Sequence, residues 1–329
     1  MNYKKLFCDG WEFSENPLDT EYEQAKDWHS VDIPHDWMIG HVKDLYKNST
    51  GWYRKHFSTD KAEGMRTLLC FGGVYMDSTV KVNRKNALER KYGYTPICTD
   101  ITDLLEKGDN LIAVRVNYRC PNTRWYSGAG IFRDVYIISC PDVHILNDGI
   151  YVTADADGNV TARVECERPE GTGVAGYTLE YAIEKDGKVI CSAKSDMTAA
   201  DISRIDESLR RNGCVYSVNT INMKIDDPAI WDIDDPQLYT FKVCLKKDGN
   251  TIHADSTAFG VRSMVFDTDR GFLLNGRHIK LYGVCEHHDN GALGAAFNKA
   301  AFRRKLKKLR EMGVNALRTS HNPPDTGVL

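Results

Sequence analysis

Residues 271–284, GFLLNGRHIKLYGV, and residues 298–320, NKAAFRRKLKKLREMGVNALRTS, decide how this chain is built. The first stretch reads as two short strands around Asn275-Gly276, because Asn-Gly supplies the positive-φ pair of a tight hairpin. A polar loop follows from Cys285 to Asn298. Asn298 then caps a helix in which Phe302, Leu306, Leu309 and Met312 share one face, and Gly313 stops it. VNALRTS is the next strand. A strand, a loop, a helix and a strand make a βα unit, the element from which parallel sheets and barrels are assembled. One helix does not close a barrel, so this is about the first quarter of such a domain, or a smaller fold.

Upstream the periodicity is that of β-structure, with β-branched and aromatic residues alternating with polar ones. WYRKHFST (52–59), TLLCFGG (67–73), STVKVN (78–83), NLIAVRVNY (110–118) and FRDVYIISC (132–140) are the first set. No long amphipathic helix interrupts them, which predicts a sandwich or jelly roll. After Pro141 a second set begins, including HILNDGIYVTA, NVTARVEC, TLEYAIEK, VYSVNTINM, LYTFKVCLKK and TIHADSTAF. Asp186-Gly187 and Asp248-Gly249 each mark a hairpin within it. Six or seven strands in about 120 residues fit an immunoglobulin-like sandwich, without the Cys-Trp-Cys core of antibody domains. The expected fold is therefore mainly β, with a jelly-roll domain at 1–141, an immunoglobulin-like sandwich at 142–262, and the opening of a barrel at 263–329.

The chain has 329 residues, 42% hydrophobic and 27% charged, enough to bury several cores. Its 43 basic residues against 46 acidic ones leave a formal charge of -3, which argues against a nucleic-acid partner. No apolar run reaches the ~20 residues of a spanning helix. The start, MNYKKLFCDGWEF, has no apolar stretch of signal-peptide length, so a cytoplasmic location is expected and the sequon at Asn48 carries little meaning. Ten cysteines occur without a CxxC pair. Cys70, Cys166 and Cys244 sit in strand-like flanks, and the reading is free thiols in a reducing compartment.

Two stretches are denser in functional groups than a core or a solvated face needs. Glu286-His287-His288-Asp289 follows the first barrel-type strand, and Arg318-Thr319-Ser320-His321-Asn322-Pro323-Pro324 ends the next. Polar side chains at the carboxyl ends of parallel strands are where barrel enzymes meet ligands. Imidazole, amide and guanidinium groups can bond several hydroxyls of one polar ligand, such as a sugar ring. A metal site at 286–289 is disfavoured because adjacent loop residues seldom converge on one ion. A solvated polar loop, or a salt-bridged strand end at Arg318 and His321, remains the plain alternative.

Taken in order, these motifs resemble glycoside hydrolase family 2, the β-galactosidase and β-glucuronidase family. Asn315 to Pro324 is similar to one of its signatures. Ile33-Pro34-His35-Asp36-Trp37, Gly51-Trp52-Tyr53-Arg54-Lys55 and Ser127 to Val135 look like its opening sugar-binding domain. Pro236-Gln237-Leu238-Tyr239 and Phe259-Gly260-Val261-Arg262 resemble the end of its immunoglobulin-like domain. Leu274-Asn275-Gly276 with Gly283-Val284 resembles the approach to its (β/α)8 barrel.

The resemblance implies retaining hydrolysis of a β-glycoside by two carboxyl groups about 5–5.5 Å apart. In the family both are glutamates on later barrel strands, so the acid/base and the nucleophile are expected beyond Leu329. No catalytic residue is assigned here, and this chain alone is expected to be inactive. What carries over is sugar binding. The resemblance places His287 and His321 at the first sugar subsite and Arg318 beneath it, with Asp289 and Asn322 beside them. Asn122, Arg124 and Trp125 lie in a loop that reaches toward the barrel mouth in family members. Trp125 either stacks on a sugar or anchors the sandwich edge, the second being preferred, and Trp37 and Trp52 are assigned to the sandwich core. The β-galactosidase branch is the best match, with β-glucuronidase, β-mannosidase and a non-catalytic carbohydrate-binding protein as alternatives. No cofactor follows from these residues. Mg2+ or Na+ ions that assist some β-galactosidases would find their ligands largely downstream. The expected partner is a carbohydrate, and a homo-oligomer is compatible with the resemblance. A βαβ piece exposes strand edges and an apolar helix face. Residues 263–329 are therefore expected to pack on the immunoglobulin-like domain, self-associate or be poorly ordered.

Overall fold

The computed structural model describes residues 3–60, 62–199, 211 and 213–329. Ten strands build the first sandwich: β1 (Tyr3–Leu6), β2 (Trp11–Asn16), β3 (His29–Val31), β4 (Ser49–Thr59), β5 (Met65–Phe71), β6 (Ser78–Val82), β7 (Lys85–Arg90), β8 (Ile97–Asp100), β9 (Gly108–Tyr118) and β10 (Val135–Pro141). They form a four-stranded sheet, β1-β10-β5-β8, and a six-stranded sheet, β3-β2-β4-β9-β6-β7. Strand alternation sends Ile112, Val114 and Val116 of β9 into the core with Phe13, Trp37, Tyr53, Leu69, Phe71 and Phe132. Each such side chain contributes about 1.5–3 kcal/mol by leaving water. A Cβ on Gly51 would lie 2.7–2.8 Å from the Trp37 and Phe13 rings, so only glycine lets these rings close over β4.

Trp37 and Trp52 are both buried as expected, but only Trp37 joins the cluster between the sheets. Trp52 neighbours Tyr53 on a strand and so points the other way, as the two-residue period demands. It is buried beneath Tyr22, 5.3 Å between ring centroids, and donates its indole N–H to Thr20 O at 2.8 Å. The free-thiol reading fails at one pair. Cys70 and Cys98 stand directly opposite each other on β5 and β8, Cα atoms 4.0 Å apart, and are joined as a disulfide. Separate flanks of sequence do not reveal a cross-strand register.

The second sandwich comprises β11 (His144–Ala154), β12 (Asn159–Pro169), β13 (Tyr177–Lys185), β14 (Lys188–Asp196), β15 (Cys214–Lys224), β16 (Tyr239–Lys247) and β17 (Asn250–Phe259). A three-stranded sheet, β11-β12-β15, and a four-stranded sheet, β14-β13-β16-β17, close on Val160, Val164, Leu179, Tyr181, Phe241 and Leu245. Both Asp-Gly hairpins form, with positive φ at Asp186 (50°), Gly187 (77°), Asp248 (48°) and Gly249 (83°). A small antiparallel sheet follows from β18 (Met264–Asp267), β19 (Gly271–Leu274) and β20 (Arg277–His278), turning at Asn275 and Gly276. Asn275 Nδ2 donates to Trp231 O at 3.0 Å, tying this turn to the strand connection before β16.

The last elements are β21 (Gly283–Glu286), the helix α1 (Lys299–Glu311) and β22 (Ala316–Thr319). The strands are parallel, with Cys285 beside Arg318 and Glu286 beside Thr319. Asn298 caps α1 by accepting from Ala301 N at 2.9 Å, and Gly313 ends it at φ 86°. Phe302 is buried, whereas Met312 lies beyond the last turn and is 75% exposed. Residues 3–139 and 282–329 form one compact unit, and residues 140–281 form the other. Of the outcomes expected for residues 263–329, packing with the immunoglobulin-like domain holds for residues 263–281 but not for residues 282–329, which belong to the unit of the first sandwich. Buried polar groups of the first sandwich, described next, take up that segment.

Candidate functional site

Pairing of β21 with β22 brings the two polar stretches together. Ser320 N donates to Glu286 O at 2.8 Å, so the chain segments leaving both strands run side by side. The His287 and His321 rings meet edge to face, 5.2 Å between centroids. Trp125, from the first sandwich, lies against both, 5.7 Å from His287 and 5.0 Å from His321. Its indole N–H donates to Tyr94 Oη at 3.4 Å, which anchors the ring while leaving it half-buried.

Arg318 organises the floor. Nη1 donates to Ser320 Oγ at 3.1 Å and contacts Cys285 Sγ at 3.7 Å, while Nη2 donates to His321 Nδ1 at 3.3 Å. A guanidinium only donates, so Nδ1 accepts and the proton of the neutral ring sits on Nε2. Loss of solvent, then Arg318, His287 and Arg124, hold the His321 imidazole below its ordinary pKa. The Arg318 hydrogen bond lowers the Cys285 thiol. The exposed Arg124 is thereby a charged neighbour of the same cluster.

Other candidates are held elsewhere. Asn122 Nδ2 donates to Arg119 O at 2.8 Å within its own loop. Asn322 Oδ1 accepts from Tyr92 Oη at 3.2 Å, and its Nδ2 is buried without a partner. Asp289 is half-buried, and its carbonyl oxygen takes Lys305 Nζ at 3.2 Å. Glu286 is paired with Lys305 of α1 at 2.5 Å. His288 turns inward: Nε2 donates to Ser127 O at 2.9 Å, its ring lies 5.1 Å from Tyr94, and burial lowers its pKa. Among the described residues no group of three or more His, Cys, Asp or Glu side chains could hold a metal ion.

Two residues quoted only within motifs hold this cluster together. The buried Asp36 accepts Met38 N at 3.0 Å, Ala129 N at 2.9 Å, Tyr126 Oη at 2.6 Å and Ala295 N at 2.8 Å. It therefore fastens the Trp125 loop to the loop that carries His287. A Cβ on Gly128 would lie 2.5 Å from Ala295 Cβ and 2.6 Å from Asp36 Oδ2, so the approach requires glycine. Arg133, 2% exposed, donates to Tyr94 O at 2.9 Å and to Pro323 O at 2.7 Å, and Asp325 Oδ2 lies 4.0 Å from its Nε. The sequence signal for both was a charge inside an apolar motif, because such a charge must find several partners on burial.

Comparison with known proteins agrees with this layout. Residues 16–141 match the sugar binding domain of glycosyl hydrolases family 2, residues 143–262 match the domain described by the family name alone, and residues 266–329 match its TIM barrel domain. "Beta-galactosidase BoGH2A" of Bacteroides ovatus is 36% identical over 91% of this chain, which covers 36% of that protein. A "Beta-glucuronidase" of Bacteroides fragilis is 30% identical over 91% of this chain, which covers 44% of it. The crystal structure of a glycosyl hydrolase family 2 member from Bacteroides cellulosilyticus superposes with a TM-score of 0.83 at 32% identity, over 99% of this chain and 45% of that one. The chain thus spans less than half the length of these relatives. No helix among the described residues is long and apolar enough to cross a membrane. With three successive domain matches to one family running from residue 16 to residue 329, the chain belongs to glycosyl hydrolases family 2.

Proposed function

We propose that this chain is the amino-terminal part of a retaining β-glycosidase acting on terminal β-galactosides. The supporting observation is the convergence of Trp125, His287 and His321 at the carboxyl ends of β21 and β22. Trp125 offers a flat apolar face to a sugar ring. His321, its Nδ1 occupied by Arg318, turns an Nε2–H donor to a ligand hydroxyl, and His287 adds a second ring nitrogen beside it. Arg318 sets the tautomer, and Asp36 positions both loops.

The carboxyl pair of retaining hydrolysis would come from later barrel strands beyond Leu329, since Glu286 is engaged by Lys305. The chain alone should then hydrolyse a nitrophenyl β-galactoside no faster than a mock preparation. β-Glucuronidase is the second reading, favoured by the relative of that name and by the exposed guanidinium of Arg124. Titration with methyl β-galactoside and with methyl β-glucuronide, followed by NMR of the His and Trp rings, separates the two. Shifts centred on Trp125, His287 and His321 and larger with the galactoside are expected. Larger shifts with the glucuronide would transfer the proposal to that substrate, and shifts elsewhere would remove the site.

A further inference from the structure

A cavity of about 30 Å³ is lined by His287 of the cluster together with Phe132, Arg133, His288, Asn322 and Asp325. A buried water needs roughly 10–15 Å³ and two to four polar partners, so one or two waters fit. Two wall residues carry a buried polar atom without a partner: His288 Nδ1 and Asn322 Nδ2. Their chemistry is complementary. His288 Nε2 faces the carbonyl of Ser127, which only accepts, so Nε2 carries the proton and Nδ1 is a bare acceptor. Asn322 uses its carbonyl oxygen to accept from Tyr92, which leaves its amide N–H as a donor. A buried donor and a buried acceptor left unmet are both costly, and a water between them would answer both.

We infer that this cavity is a binding site for a structural water that accepts from Asn322 Nδ2 and donates to His288 Nδ1. The water and Tyr92 together hold both ends of the Asn322 amide. Asn322 then supports the turn that carries His321 and contacts no sugar itself. This inference is independent of which glycoside the site takes.

A crystal structure of the chain at a resolution that shows ordered water tests it. A water within hydrogen-bond distance of both atoms is expected. A dry cavity, or a water touching only one of them, overturns the inference. His288→Phe keeps the ring's bulk and deletes the Nδ1 acceptor together with the donor to Ser127 O, so loss of that water is expected and its retention counts against the assignment. Should the variant fail to fold, wild-type NMR decides: cross-relaxation between a long-lived water and the His288 ring is expected, and its absence overturns the site.

Discussion

The two sandwiches differ in what some of their buried polar groups reach. In the first, Asp36 reaches Ala295, 259 residues away, and Arg133 reaches Pro323, 190 residues away. In the second, the buried Asn219 bonds Val164 O and Thr198 N, and His253 Nδ1 accepts from Ile145 N at 3.1 Å. Those partners belong to the same sandwich. Its polar groups complete its own interior, as Thr50 and Asn117 do in the first sandwich, whereas Asp36 and Arg133 of the first hold a separate piece of chain in place. Because desolvating a charge is expensive, Asp36 and Arg133 are stable only while all their distant partners stay seated. The difference teaches that the first sandwich is a platform for the candidate site and the second is self-contained.

The largest effect should come from Asp36→Ala. Three buried backbone N–H groups and the partly buried Tyr126 hydroxyl lose their acceptor at about 1–3 kcal/mol each where left unmet, so a loss of at least about 3–5 kcal/mol is expected. Peptide-level hydrogen exchange should show protection falling over residues 126–135 and 286–298 while residues 177–196 and 214–259 keep theirs. Equal loss in both units would break the comparison.

A pH titration probes the other side. Burial, with the His144 ring 6.0 Å away, lowers His253 from 6.5 to about 4. The unfolded chain therefore takes up this proton first. The linked stability is intact above pH 6.5 and falls as pH drops toward 4, by about 3 kcal/mol. Acid unfolding of the second sandwich should follow that window, and His253→Asn, which keeps an acceptor for Ile145 N, should flatten its share. An unchanged acid limb in that variant would remove His253 from the account.

The smallest effect belongs to Tyr92→Phe. Its hydroxyl bonds Asn322 at an exposed position, so about 0.5 kcal/mol of stability should be lost on denaturant unfolding. A loss several times larger would mean that this rim tie carries as much as the buried hub, and the contrast would blur.

Local chemistry was legible in the sequence where neighbours in the chain do the work. Asn298 capped its helix, Asp186-Gly187 and Asp248-Gly249 turned, and β21 and β22 paired in parallel because the α1 crossover returns the chain that way. The meeting of His287 with His321 followed from that crossover. The adjacent His288 was not legible, since loop residues have no fixed period and one imidazole turned toward Trp125 while the next turned toward Ser127. Trp52 is buried as expected, but its face was not legible, because an aromatic residue signals burial without saying on which side of the strand. The Cys70–Cys98 bond depends on the register between β5 and β8, which no local spacing encodes.

By itself the amino-acid order determined the longer strands, the helix and the hairpin turns, because periodicity, caps and turn residues act over a few neighbours, and its motifs carried the family resemblance; the short strands β1, β2, β3, β7 and β8 were not read from it. Tertiary structure alone decided that residues 282–329 seat on the first sandwich, that Asp36 and Arg133 hold them, and that Asn322 faces Tyr92. A buried hydrogen bond between residues 190 or 259 positions apart exists only once the backbone has brought them within about 3 Å.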